Sequence, residues 1–266
     1  MTVKGYIFDI DGTLALAGMG GQGYVALPGA AEVVAGLNAK GTPIIAYTNG
    51  TFHTPAEYRA KLSSVGIHFA EGRVMTPASV AADYFVAKGI RRLFVLGIEG
   101  VTQPLEAAGL EVVRPGGKLD SVDGVLAGWY PDFAFPALET ACRAIWAGTP
   151  FFATSLAPYF AGTNGRNIGV SGAIAAMITH TTGVAPTLLG KPSVLGVEMA
   201  CQRMGLKPSE IAVVGDDPKL EIAMARRAGA QAIGVTTGVA TAESFAALAD
   251  DLKAHRIIAS LRDLHG

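Results

Sequence analysis

Few charges, few aromatics and almost no cysteine mark this 266-residue chain. Only 16% of the residues are charged, 8% are aromatic, and the balance of 21 basic against 22 acidic residues leaves a net charge of −1. Without a basic run, no surface suits a nucleic-acid backbone, so nucleic acid is excluded as the main partner. The two cysteines, Cys142 and Cys201, form neither a CxxC pair nor a Cys/His cluster, and read as buried thiols in a reducing compartment. Long apolar runs are lacking too. The charge-free stretches 12–31, 144–165 and 167–190 are each broken by glycines, prolines or polar residues, so none reads as a membrane span. Asp9 and Asp11 interrupt the first apolar run, which therefore does not read as a signal peptide. A soluble, cytoplasmic protein is expected.

What is present is core. Half of the residues are hydrophobic, enough for one large domain or two modest ones and too many for a disordered chain. Short apolar runs alternate with amphipathic segments, the pattern of a parallel α/β fold. Strands are predicted over 3–8, 43–48, 93–96, 111–113, 122–127, 151–154, 211–214 and 232–235. Helices are predicted over 28–39, from Pro55 to near Gly66, over 77–87, 101–108 and 135–147, after Pro192, and up to Ala228. No linker, repeat or low-complexity tract interrupts this alternation.

Four short segments carry chemistry. Phe8-Asp9-Ile10-Asp11-Gly12-Thr13 follows an apolar strand, and residues two apart on extended chain project to one side. Two carboxylates so placed repel unless a cation joins them or one keeps its proton, which makes either a divalent-metal site or a nucleophile beside a general acid. Taken alone, the segment also reads as an ordinary turn. Tyr47-Thr48-Asn49-Gly50 ends a second strand with a hydroxyl, an amide and backbone N–H groups able to cradle an oxyanion, or with a plain Asn-Gly turn. In Gly190-Lys191-Pro192-Ser193 the proline is read as a helix start, placing Lys191 beside a partly positive helix terminus where an ammonium suits phosphate; a solvated surface lysine is the alternative. Val213-Val214-Gly215-Asp216-Asp217, with Glu221 four residues on, ends a further strand in carboxylates of the kind magnesium prefers. A parallel sheet would gather all four at the C-terminal ends of its strands. Gly18-Met19-Gly20-Gly21-Gln22-Gly23 imitates a dinucleotide fingerprint, but it does not directly follow the strand and has no acidic residue at the expected distance.

These motifs in this order resemble the haloacid-dehalogenase superfamily phosphatases, and within them the NagD-type branch (subfamily IIA) with a C2 cap. The likeness extends over nearly the whole chain, through Leu27-Pro28-Gly29-Ala30, the segment 128–141 and Phe151-Phe152-Ala153-Thr154. It implies a Rossmann-like, doubly wound parallel sheet over 1–77 and 180–266, with a smaller α/β cap inserted over 78–179. It further implies that Asp9 is the nucleophile and a metal ligand, and that Asp11 is the acid and base and gives the metal its backbone carbonyl. Thr48, Asn49 and Lys191 would bind phosphate, Asp216 would complete a Mg2+ site, and Asp217 and Glu221 would support it. The expected partner is a small phosphorylated metabolite, a sugar phosphate, nucleoside monophosphate or phosphoglycolate-like compound, and a homodimer through the cap stays open. Asp132, Asn164 and Arg166 are candidate substrate contacts in the cap, Arg166 as a clamp for a second anionic group. Relatives often carry aspartate where Glu221 stands and asparagine where Ser155 stands, and the glycine-rich loop 15–27 is longer than expected and suits a flap. A phosphotransferase or mutase using the same first step, and a metabolite-binding protein without turnover, are the competing readings.

Overall fold

The computed structural model describes residues 3–17, 23–117, 121–162 and 165–264. The chain divides into two compact units, Met1–Thr48, Ala56–Met75 and Lys191–Gly266 forming the first, Asn49–Pro55 and Thr76–Gly190 the second.

The first unit is built on a six-stranded parallel sheet. Its order is Arg256–Ile258, Gln231–Val235, Ile211–Gly215, Gly5–Phe8, Ile44–Tyr47, Val74–Met75. Ile44–Tyr47 and Ile211–Gly215 are buried at every residue, as strands covered on both faces must be, which is why they read as unbroken apolar runs. From Gly5–Phe8 the chain winds outward to one side, then returns for Ile211–Gly215 and winds to the other. Phe8 is level with Ala46 on one neighbour and Val214 on the other, so the segments after these strands leave the sheet together at a topological switch point.

Around this sheet pack Ala30–Ala39, Pro55–Ser63, Leu195–Met204 and Ala223–Ala228. The first of these buries Val33, Val34 and Leu37, but it opens at Ala30 and not at Pro28. Gly29 precedes it with a φ of +84°, and a Cβ there would stand 2.5 Å from the Arg262 backbone nitrogen. That close approach reserves Pro28-Gly29 for a turn.

The second unit holds a five-stranded parallel sheet in the order Thr187–Leu188, Phe151–Ala153, Gly124–Ala127, Arg92–Leu96, Glu111–Val113. Its core includes Phe94, Leu96, Val125, Leu138, Ile145, Phe151, Ile174 and Ile178. Pro77–Lys88 starts on a reciprocal cap. The Thr76 hydroxyl accepts from the Ser79 N–H at 3.3 Å, while the Ser79 hydroxyl accepts from the Thr76 N–H at 3.0 Å. Val170–Thr182, which sequence patterning did not reveal, is the longest helix among the described residues. Gly172, Ser171 and the β-branched residues lower the helix propensity that its alanines supply, and packing of Ile174, Ala175 and Ile178 into the core stabilises it. This helix runs through the expected boundary at 179, and the second unit continues to Gly190. Among the described residues no helix is long and apolar enough to cross a membrane.

Two antiparallel hairpins also escaped sequence reading, Ala15–Ala17 with Tyr24–Ala26, and Tyr159–Gly162 with Gly165–Ile168. The first flanks the glycine-rich loop, whose residues 18–22 lie outside the described residues.

Candidate active site

Asp9 is the first residue beyond the Gly5–Phe8 strand, and its N–H continues the ladder by donating to the Val214 carbonyl at 2.9 Å. The chain then turns at once. The Ile10 carbonyl accepts from the N–H groups of Leu14 and Ala15 at 3.0 and 2.9 Å, and Gly12 takes a φ of +96°. Asp9 and Asp11 therefore share a tight turn, where an extended segment had been the basis of their pairing. Asp9 is buried, whereas Asp11 is exposed.

Opposite this turn stands Asp216, just past Ile211–Gly215. A Cβ on Gly12 would lie 2.3 Å from its Oδ2, and one on Gly238 only 1.9 Å away. Asp216 thus fits against two positions that must lack side chains. Its Oδ2 accepts the Val239 N–H at 2.7 Å, and the Thr237 hydroxyl donates to the Gly12 carbonyl at 2.7 Å. The 237–239 segment locks the first and fourth motifs together. Sequence reasoning missed it, although a Thr-Gly step directly after an apolar strand is a visible sign of close backbone approach.

Lys191 ties the third motif to both. Its ammonium is buried, ion-paired with Asp9 Oδ1 and with Glu221 Oε1, the latter at 2.7 Å. The other Glu221 oxygen accepts the Asp217 N–H at 3.0 Å, and a Cβ on Gly215 would meet the Glu221 Cγ at 2.2 Å. Glu221 is thus a direct counter-ion of Lys191, seated in room that Gly215 leaves open. Asp217 turns away, its Oδ1 accepting the Lys219 N–H at 2.7 Å to cap the following wide helical turn, Pro218–Ile222. The sequence-based placement of Lys191 needs correction. Pro192 does not start a helix; the chain first turns through a cis Lys191–Pro192 peptide, and the helix opens at Leu195. Lys191 is held by its carboxylate partners and by burial, not by a helix terminus.

Thr48 is buried and donates to Asp11 Oδ2 at 3.2 Å. The Tyr24 hydroxyl, carried in by the first hairpin, also hydrogen-bonds to the Asp11 carboxylate. Nothing in the sequence pointed to Tyr24, because its hairpin is too short to show periodicity.

Electrostatically the site is crowded with negative charge. Burial pushes Asp9 up to about 7; the Lys191 ammonium pulls it down while Asp216 and Asp11 add to the rise. Burial, then Glu221, raises Asp216 to about 7, and burial also raises Glu221 to about 7 against the pull of Lys191. Although Asp11 keeps exposed surface, its carboxyl is packed against Thr48 and Tyr24, and that partial burial raises it, with the Thr48 hydrogen bond opposing. Burial alone would lower Lys191, but Asp9 and Glu221 outweigh it and hold the ammonium charged. One ammonium among four carboxylates leaves room for a cation.

The site fits a magnesium ion. Asp9 Oδ2 is buried with no hydrogen-bond partner among the described residues, an arrangement that costs free energy unless another ligand takes it. Among the described residues no three acidic, histidine or cysteine side chains form a metal cage of their own. Magnesium needs none, since it takes one or two protein carboxylates with water and phosphate completing the shell. Asp9 and Asp216 are the carboxylates that could serve this way.

The structure therefore brings together Asp9, Asp11, Thr48, Lys191, Asp216, Asp217 and Glu221 within the first unit. Asn49 is the first residue of the second unit. Asp132 is exposed in the turn before Phe135–Trp146, and Arg166 lies in the Gly165–Ile168 strand of the second hairpin. Asn164 lies outside the described residues. The Ser155 hydroxyl accepts the Ala157 N–H at 3.2 Å, a local turn contact.

Comparison with known proteins agrees with this geometry. The haloacid dehalogenase-like hydrolase family matches residues 6–111, and the HAD-hydrolase-like family matches residues 188–264. The acid sugar phosphatase of Staphylococcus aureus is 30% identical over 241 residues, covering 90% of this chain and 89% of the relative. The 5'-nucleotidase YutF of Bacillus subtilis is 30% identical over 253 residues, covering 95% and 93%. Among solved structures, NagD from E. coli K-12 superposes with a TM-score of 0.86 at 26% identity, covering 99% of this chain and 98% of that one. The p-nitrophenyl phosphatase from Archaeoglobus fulgidus gives 0.87 at 28% identity, with the same coverage.

Proposed function

Since the chain belongs to the haloacid dehalogenase-like hydrolases, we propose that it hydrolyses a small phosphorylated metabolite through an aspartyl-phosphate on Asp9, with magnesium as cofactor. That it is a phosphatase follows from its family and its phosphatase relatives. The observation that carries the finer reading is the Asp9 carboxylate, buried, ion-paired with Lys191 through one oxygen and without a hydrogen-bond partner among the described residues on the other.

In this mechanism an Asp9 oxygen attacks phosphorus, and the bond from phosphorus to the ester oxygen breaks. Asp11 gives its proton to that departing oxygen; its raised pKa and exposed position suit the task. Now a carboxylate, Asp11 takes a proton from water as the water oxygen attacks phosphorus. The bond to Asp9 breaks, phosphate leaves, and both aspartates are restored. Lys191 binds the transferring phosphoryl group and is itself steadied by Glu221, while Thr48 holds Asp11 and contacts the same group. Asp9, Asp216 and the Asp11 backbone carbonyl would hold a magnesium ion, which would supply charge neutralisation for the phosphoryl oxygens.

In this reading the second unit is the substrate-selecting cap, with Asn49 assisting phosphate binding and Asp132, Asn164 and Arg166 as the contacts to test. Cys142 and Cys201 are unpaired and buried, which suits a reducing compartment, and the cytoplasm is the proposed setting.

The test is phosphate release from sugar phosphates, nucleoside monophosphates, phosphoglycolate-like compounds and an aryl phosphate, with magnesium and with a chelator. Release that a chelator abolishes and added magnesium restores is expected. Release indifferent to metal would remove the magnesium site, and a folded protein that releases nothing would remove the hydrolytic reading. The names of the relatives put sugar phosphates and nucleoside monophosphates first in the panel.

A further inference from the structure

Tyr47 closes the Ile44–Tyr47 strand and is fully buried. Its neighbour Thr48 belongs to the phosphate motif, but its own role lies elsewhere. The Lys191 Nζ stands over the Tyr47 ring, 5.3 Å from its centroid. At that distance an ammonium is attracted by the negative face of an aromatic ring, and most strongly where both are stripped of water, as they are here. The hydroxyl takes no part, since the Tyr47 oxygen has no hydrogen-bond partner among the described residues.

The ring is also wedged. A Cβ on Gly196 would lie 2.3 Å from the Tyr47 Cε1 and 2.9 Å from its hydroxyl oxygen, so only glycine admits the ring at this point. Gly196 sits five residues after Lys191, in the first turn of Leu195–Met204. The segment that delivers the lysine therefore also fixes the ring beneath it. A lysine stem has four flexible carbons, and its charge is useful to a phosphoryl group only if it is held still. Asp9 and Glu221 hold the ammonium at its hydrogen-bonding side, but Asp9 must change partners when it attacks phosphorus. The ring offers an attraction that this exchange leaves in place.

We propose that Tyr47 is a positioning residue, whose ring face, pinned by Gly196, keeps the Lys191 ammonium aligned for the phosphoryl group. The proposal rests on the phosphatase reading above.

The decisive test varies the ring's electron density at constant shape. Tyr47→Phe is compared with replacement of Tyr47 by mono-, di- and trifluorophenylalanine through nonsense suppression, with kcat/KM for the best substrate and Tm measured on each. Tyr47→Phe should retain kcat/KM within about twofold, because the ring persists. Successive fluorines should lower kcat/KM stepwise, to a total of roughly 30-fold, with Tm falling in step by only a few degrees, because the same cation–π contact is already made in the resting fold. Flat kcat/KM across the fluorinated series would overturn the proposal, as would a large loss in Tyr47→Phe, which would assign the effect to the hydroxyl. Absence of turnover in the unmodified protein would instead count against the phosphatase mechanism itself.

Discussion

Asp9→Asn is expected to lower kcat on the best substrate by at least about 10^4-fold, in the range seen when a nucleophile is removed from other hydrolases. The amide is isosteric but a poor nucleophile, and it is a weaker metal ligand than a carboxylate. The fold should survive, because the substitution removes a buried carboxylate that burial and its acidic neighbours already disfavour. The Tm of the metal-free variant should therefore equal or exceed that of the metal-free parent. Magnesium should raise the Tm of the parent and leave the variant nearly unmoved, since the unpartnered Asp9 Oδ2 is gone. Thermal melts with and without magnesium, beside steady-state rates, check both halves. Comparable turnover in Asp9→Asn would remove it as the nucleophile.

Lys191→Ala should damage both catalysis and stability. For catalysis, loss of a preorganised cation at the phosphoryl group predicts a fall in kcat/KM on the order of 10^2- to 10^3-fold. For stability, the deletion strands Asp9 and Glu221, both buried, without their shared counter-ion. Removing one partner of a buried ion pair costs about 3–5 kcal/mol, or roughly 10 °C in Tm for a protein of this size. Part of that loss should return when magnesium is added, because the ion compensates the same carboxylates. Calorimetry or a dye-based melt, paired with kcat/KM, provides the check. An unchanged kcat/KM would refute the assignment of Lys191 to phosphate binding.

The parts of this account that could be read from sequence share one property: their signal is local. Fully buried parallel strands must be unbroken apolar runs, so Ile44–Tyr47 and Ile211–Gly215 announced themselves, and the polar residues that follow them were marked as the sheet's C-terminal edge. What was missed depends on distant partners. The 237–239 segment grips Gly12 and Asp216 across more than two hundred residues of chain on one side, and nothing near Thr237 states whom it will meet. Glu221 read as a substitution within a metal-supporting pair, yet its principal partner is Lys191, thirty residues earlier. Pro192 suggests a helix start at Lys191 from the usual place of proline, but the helix opens only at Leu195, and no local signal marks the turn that intervenes. Val170–Thr182 was invisible for a different reason. Gly172, Ser171 and its β-branched residues offset its alanines and leave no strong local signal, and burial of one face in the second unit's core stabilises the helix.

The central claim, covalent catalysis by Asp9, is tested most directly by trapping the intermediate. The magnesium-loaded protein is mixed with excess aryl phosphate and quenched in acid within milliseconds. It is then digested and mapped by mass spectrometry, beside Asp9→Asn treated in the same way. The account predicts a phosphoryl group on the peptide that contains Asp9, lost when the quench is delayed until substrate is exhausted, and absent from the variant. A phosphoryl group found on another residue, or continued turnover with none found at any quench time, would contradict it.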